Sequence, residues 1–228
     1  MFFFVNQYLL SSNSSVEHAE IKRLKLFAAH HVAAKLVTRD FDPIIHATLL
    51  RFGLNDSQLV NMFDFFAGTT DYQGKVLRTE NLNLPFDYQV GTGSNSREVK
   101  DGQRLVAEVF FVGGTVGQVD RVDWYDPAGN LTLRERYDLR GYKAVDQFYG
   151  EDGETHYERY YRPDGSIYME RYYVQSVQNT PINSLNVLKD YQGKDYYFDS
   201  FDDLFVFFLN ELNRTTKEQN TFIADRPA

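Results

Sequence analysis

Five glycines stand twelve residues apart, at Gly117, Gly129, Gly141, Gly153 and Gly165. A tyrosine column keeps the same step at Tyr125, Tyr137, Tyr149, Tyr161 and Tyr173. The column just before it reads Trp124, Arg136, Phe148, Tyr160 and Tyr172. Three columns in phase make an internal repeat. A period of this length suits one strand of about eight residues and a turn of about four. The spacing therefore predicts an antiparallel meander with one strand per repeat, running to Val174. Turn residues fall at the joints, as in Asp126-Pro127-Ala128-Gly129, Glu151-Asp152-Gly153 and Pro163-Asp164-Gly165. Odd strand positions, such as Leu131, Leu133, Val145, Tyr157, Ile167 and Met169, are the more apolar. Even positions carry more charge, including Arg134, Asp146, Glu158 and Glu170. An even period is expected to keep that parity from strand to strand, giving one apolar face throughout. Such a face needs a cover from this chain or from another subunit.

The flanks follow a different rhythm. Phe2–Val5 is a continuous apolar run, as in a strand buried on both faces. A serine-rich loop follows, and then a helical pattern from Val16 to about His31. Ser14 or Ser15 is placed to cap it, and Glu17 suits the positive end of its dipole. Ala33–Thr38 reads as a strand and Pro43–Phe52 as a helix stopped by Gly53. A third short helix is expected from Asp56 or Ser57 to about Phe66. This is the βα alternation of a parallel sheet. Beyond about residue 70, Lys75–Leu84 and Gln103–Val112 read as strands separated by the polar stretch Gly91–Gly102. After Val174 the pattern returns to α/β, with a strand at Tyr196–Phe198, a helix from Phe201 to about Leu212 and a last strand at Thr221–Ala224. Ser200 with Asp203 is a cap signature for that helix. The expected fold class is α/β plus β. A partial Rossmann-like layer, from residues 1–70 and 180–228, carries a large inserted antiparallel β-meander domain at 71–179.

Charge and composition remove several function classes. The net charge of −8 opposes binding to nucleic acid phosphates. Lys22, Arg23 and Lys25 form a short basic cluster best read as a solvated helix face. With no cysteine, disulfides, thiolate nucleophiles and thiolate-bound metals are excluded, and a reducing cytosol is compatible. The apolar N-terminus lacks a basic flank, so a signal peptide is not expected. No stretch reaches the roughly 18 apolar residues that span a membrane.

Candidate chemistry is sparse. His18 and His31 are thirteen residues apart, about 20 Å along one helix, and neither they nor His30 and His46 show metal-ligand spacing. Asp202-Asp203 fits helix-start charge, and Asp120 with Asp123 fits strand polarity, better than either fits a glycosidase pair. Gly113-Gly114 and Gly91-x-Gly93 do not join a strand to a helix, as a phosphate loop would. The odd-position tyrosines are best read as cross-strand packing. Phe148, Tyr160 and Tyr172 are expected together on the opposite face, where sugar stacking and plain packing are both open.

Longer stretches carry a resemblance. They are Ser14-Ser15-Val16-Glu17-His18-Ala19-Glu20-Ile21-Lys22-Arg23, Val37-Thr38-Arg39-Asp40, Asn61-Met62-Phe63-Asp64-Phe65-Phe66 and Phe222-Ile223-Ala224-Asp225-Arg226. In order, and with the meander between them, they resemble the N-terminal region of bacterial retaining glycosyltransferases. That family glucosylates poly(glycerol-phosphate) wall teichoic acid or adds sugars to serine-rich adhesins. The resemblance implies two Rossmann-like domains, of which the first holds the acceptor side and carries the β-sheet extension. The second binds the nucleotide sugar, and this sequence is expected to stop before it and to be inactive alone. By the same resemblance Asn13, Ser14, Ser15 and Glu17 form a donor-phosphate loop, and Phe148, Tyr160 and Tyr172 an acceptor or partner surface. No cofactor is implied beyond a donor such as UDP-glucose. The implied partners are a second copy or a glycosyltransferase bound through the sheet, with a polymeric glycan or teichoic-acid acceptor. The implied location is the cytoplasm, including the inner membrane face. A stand-alone oligomerisation module and a non-catalytic carbohydrate-binding module are the alternatives.

Overall fold

The apolar run at the N-terminus forms a strand, and the rest of the chain sorts around it and around a much larger sheet. The computed structural model describes residues 1–9, 15–175, 180–216 and 219–224. In chain order the first elements are β1 (Phe2–Asn6), α1 (Ser15–Ala29), β2 (Ala34–Thr38), α2 (Ile45–Arg51), β3 (Leu59–Asn61) and α3 (Met62–Ala67). Ten strands follow: β4 (Gln89–Val90), β5 (Ser96–Asp101), β6 (Arg104–Phe111), β7 (Val119–Tyr125), β8 (Leu131–Asp138), β9 (Tyr142–Tyr149), β10 (Thr155–Tyr161), β11 (Ile167–Gln175), β12 (Pro181–Tyr191) and β13 (Lys194–Phe198). The chain closes with α4 (Phe201–Thr215) and β14 (Thr221–Ala224). Two units result, one from residues 1–72 with 202–228, the other from residues 73–201.

The first unit holds a four-stranded parallel sheet in the order β14-β1-β2-β3. Phe3, Phe4, Leu36 and Val37 are at most 1% exposed, so both faces of the central strands are dry. Phe4 and Leu36 pack with Leu9, Ile21, Leu24 and Leu49 in one core. Burying each such side chain stabilises the unit by about 1.5–3 kcal/mol. On α3 and α4, Phe65 and Phe66 meet Phe208 edge-on, with ring centroids 5.2 and 5.9 Å apart. The helix expected from Asp56 to Phe66 is instead three pieces: a 3-10 turn at Asp56–Gln58, then β3, then α3. Leu59 and Val60 are drawn into the sheet because they pair with Leu36 and Val37 and become buried there. Asn61 ends the strand and caps the helix, its Oδ1 accepting from the Phe63 and Asp64 amides.

The second unit is a ten-stranded antiparallel meander running without crossover from β4 to β13. The twelve-residue repeats are β7 to β11, one strand each, and the five repeat glycines sit in turns with φ between +67° and +88°. Gly141 is constrained twice, because a Cβ there would also lie 1.7 Å from the Lys75 carbonyl oxygen. Three expectations change. Lys75–Leu84 is not a strand; it crosses the sheet with a 3-10 turn at Thr79–Asn81 and lays Leu77, Leu82 and Leu84 against the valine core of β5 to β7. The polar stretch Gly91–Gly102 contains β5, held by pairing with β6 and by the fully buried Val99. Strands β12 and β13, in the stretch expected to join the α/β layer, extend the meander beside β11.

The parity expectation also fails, for a geometric reason. Phe148 opposes Tyr157, Tyr157 opposes Tyr172, and Glu158 opposes Arg171, so between the bulges even positions face odd ones across these strands. Opposed residues share a face. Two residues one repeat apart therefore point to opposite sides, and the apolar face assigned by parity does not exist. Among the described residues, no helix is long and apolar enough to cross a membrane.

Candidate functional site

In the parallel unit, β1 lies where the strand order reverses, between β2 on one side and β14 on the other. Open α/β sheets bind ligands outside the carboxyl ends of their strands at such a switch. Asn6 ends β1, and its Nδ2 donates to the buried Glu20 carboxylate of α1 at 2.9 Å. The Arg39 and Asp40 amides donate to the Gln7 carbonyl at 3.1 and 2.7 Å. Asn61 Nδ2 donates to Thr38 Oγ1 and to the Asp40 carbonyl, each at 2.9 Å. The Arg39 guanidinium pairs with Asp40 at 2.8 Å and with Asp202 on α4 at 2.9 Å. These contacts tie the ends of β1, β2 and β3 together and lock the floor of the switch. Of the expected donor-phosphate loop, Asn13 and Ser14 lie outside the described residues. Ser15 opens α1 and Glu17 stands in its first turn.

Beside that floor, His46 of α2 is 8% exposed and lies between two carboxylates. Its Nδ1 is 2.8 Å from Asp56 Oδ1 and its Nε2 is 2.9 Å from Asp64 Oδ2. With acceptors on both ring nitrogens the group fits an imidazolium that donates twice. Thr69 Oγ1 donates to the other Asp64 oxygen at 2.6 Å, so the hydroxyl is oriented by the acid and not by the imidazole. This is a clamp joining α2, the Asp56–Gln58 turn and α3, not a nucleophile with its base. In the sequence His46 shows no metal-ligand spacing. The spacing of Asp56 and Asp64 around it was the available signal. Among the described residues no group of three or more His, Asp or Glu is placed to hold a metal.

In the meander the expected surface residues divide. Phe148 and Tyr172 share one face with Tyr157 between them; the ring centroids are 5.4 and 4.9 Å apart. Arg159 lies over Phe148, 4.7 Å from its centroid. All three rings are half-buried. Tyr160 faces the other way and is 2% exposed, donating to Glu158 at 2.8 Å. The structure thus keeps Phe148 and Tyr172 together, replaces Tyr160 with Tyr157 and buries Tyr160 in a polar row. That row follows the register: Asp123, Arg134, Gln147, Glu158, Arg171 and Asn186. Arg134 grips Asp123 with two bonds of 2.7 and 2.8 Å, which ends any catalytic pairing of Asp123 with Asp120. Gln147 donates to Glu158 at 2.7 Å and Tyr173 does so at 2.8 Å. Burial, and then the charge of Glu158, push the Tyr160 and Tyr173 hydroxyls well above their ordinary range. On the aromatic face, burial and a bond to Asp146 do the same for Tyr161. These tyrosines are fixed donors, not bases.

Residues 88–198, just under half of the chain, match the family model of the GtfB middle domain. Solved structures match both units. Accessory secretory protein 1, 2 and 3 of Streptococcus pneumoniae aligns with a TM-score of 0.77 and 16% identity, over 97% of this chain and 46% of that one. The pneumococcal O-GlcNAc transferase GtfA, in complex with UDP and GlcNAc, aligns at 0.75 and 13%, over 99% and 43%. A GtfA/B complex bound to UDP and GlcNAc aligns at 0.71 and 20%, over 93% and 42%. The chain therefore spans less than half the length of each of these proteins. None of the curated proteins matches it by sequence.

Proposed function

We propose, from the premise that the chain belongs through its sheet to the GtfB middle-domain family, that it is the acceptor-side part of a retaining glycosyltransferase. In this reading the parallel unit is a partial Rossmann-like domain. In it Asn13, Ser14, Ser15 and Glu17 would meet the diphosphate of a nucleotide sugar such as UDP-glucose. The hexose goes to a hydroxyl of a polymeric acceptor, teichoic acid or a serine-rich adhesin. Most donor contacts belong to a second half outside these 228 residues. One observation carries the reading: both units align together, over 97% of the chain, with proteins about twice its length. The 228-residue chain is expected to transfer no glucose from UDP-glucose to poly(glycerol phosphate) or to a serine-rich peptide. Robust transfer by the chain alone would overturn the proposal.

A second reading, a stand-alone interaction module, is favoured by the half-buried row Phe148, Tyr157 and Tyr172, available to a second copy or to a glycosyltransferase. Light scattering after size exclusion tests it. The expected result is a self-associating species that Phe148→Ala with Tyr172→Ala reduces to monomer. A wild-type monomer at high concentration, with no transferase bound, removes this reading.

A further inference from the structure

Most arginines of the meander have carboxylate partners, as Arg134 has Asp123, Arg140 has Asp138 and Arg171 has Glu158. Arg78 and Arg97 do not: among the described residues neither makes an ion pair. Both line one cavity of about 390 Å³, together with Thr79, Glu80, Ser94 and Phe111. Arg97 Nε is buried without a hydrogen-bond partner, and so is Thr79 Oγ1. The Arg97 guanidinium lies over the Phe111 ring, 5.3 Å from its centroid, which fixes the plane of the group and satisfies none of its N–H donors. Gly93 closes the cavity wall where only glycine fits, since a Cβ would lie 2.0 Å from the Ser96 carbonyl oxygen. Unmet buried donors are costly, and an acceptor that engages them recovers that cost.

We propose that this cavity binds an oxyanion of phosphate type. Arg97 would present Nε and a terminal nitrogen as a planar fork, Thr79 its hydroxyl and Arg78 a second positive charge. Forked guanidinium donors match phosphate oxygens two at a time. Glu80 is the one carboxylate of the lining; it opposes a second anion and is an acceptor for a neighbouring hydroxyl. The volume falls within the roughly 300–1,000 Å³ of small-molecule pockets, so an esterified phosphate fits as a class. The inference rests on this cavity and not on the transferase reading.

Calorimetric titration of the 228-residue chain tests it, with inorganic phosphate, glycerol 1-phosphate, acetate and glycerol as probes. Both phosphates are expected to bind and acetate and glycerol are not. Tighter binding of the ester assigns the site to phosphate esters; equal binding assigns it to free phosphate, and either upholds the oxyanion site. Arg97→Gln should weaken phosphate about tenfold or more, the loss expected for a charge-assisted pair. Arg78→Gln, at an exposed position, should weaken it less and leave the fold intact. The Arg97 Nε–H resonance should shift on adding phosphate, a signal lost in Arg97→Lys. No phosphate binding, equal binding of acetate, or affinity unchanged in both glutamine variants would overturn the proposal.

Discussion

The two units of this chain are held together by opposite means. The parallel unit is a dry core, with Phe4, Leu36 and Leu49 fully buried and most of its buried polar groups at strand ends or in one histidine clamp. The meander buries few large aliphatic side chains in its repeats. There the strands are joined by a transverse row of charged and amide groups on one face and an aromatic row on the other. The first depends on contacts between distant parts of the sequence, such as Phe3 with Phe222, whose rings stack at 5.0 Å. The second depends on neighbours about a dozen residues away, such as Tyr157 with Glu170. The lesson is that a sheet can be specified by local polar register where it lacks a thick core, at the cost of being sensitive to any single unpaired group.

The sharpest way to break this contrast is Phe4→Ala, expected to destabilise the parallel unit by about 3–5 kcal/mol through lost burial and a cavity. Trp124, the sole tryptophan, lies in the meander and reports that unit alone. Urea unfolding should show the loss in far-UV circular dichroism with little change in the tryptophan transition. A matching loss in both would mean that the units do not differ as described. Next comes Glu158→Ala, which strips an acceptor from Gln147, Tyr160, Arg171 and Tyr173 at once. About 3 kcal/mol of meander stability should go, read by Trp124 fluorescence, with Glu158→Gln recovering part of it. A neutral result would dismiss the polar row as a source of stability.

Two glycines of the repeat sharpen the point about close approach. Gly129→Ala meets open space and only a left-handed backbone, and should cost about 1–2 kcal/mol. Gly141→Ala meets the Lys75 carbonyl as well and should cost more; equal melting temperatures for the two variants would count against the 73–84 segment lying where it does. The smallest effect at neutral pH is alkaline. The folded-state ionisation of Tyr137, Tyr157, Tyr160, Tyr161 and Tyr173 is raised, so the native state keeps protons that the unfolded state releases. Their contribution is complete below about pH 10 and declines as pH rises above it. Spectrophotometric titration should show delayed tyrosinate formation until unfolding; ordinary titration of all sixteen tyrosines in the folded state would contradict this.

What could be read from the sequence follows the same division. Repeated glycines and tyrosines made strands β7 to β11 visible, because each turn and strand lies within one period. Strands β3 and β5 escaped notice since Leu59–Asn61 is too short to show a period, and Ser96–Asp101 is polar except for Val99. Leu77, Leu82 and Leu84 suggested a strand but serve as a cover, a distinction that only tertiary packing makes. Among candidate site residues, Phe148 and Tyr172 share a face and Tyr160 lies on the other, because the chain reverses direction at each turn, which counting positions along the sequence does not register. Arg78 and Arg97 gave no signal at all, being nineteen residues apart in segments with no shared pattern.

That reversal has a consequence for how such a protein can change length. Inserting or losing one repeat would turn over every later strand, exchanging the side of the charged and amide row for the ring-bearing side and sending the exit chain off in the opposite direction. Gain or loss of two repeats, one complete hairpin, leaves the remaining pattern as it was. Natural length variants of this architecture should therefore differ by multiples of twenty-four residues in the repeat, twice its twelve-residue period.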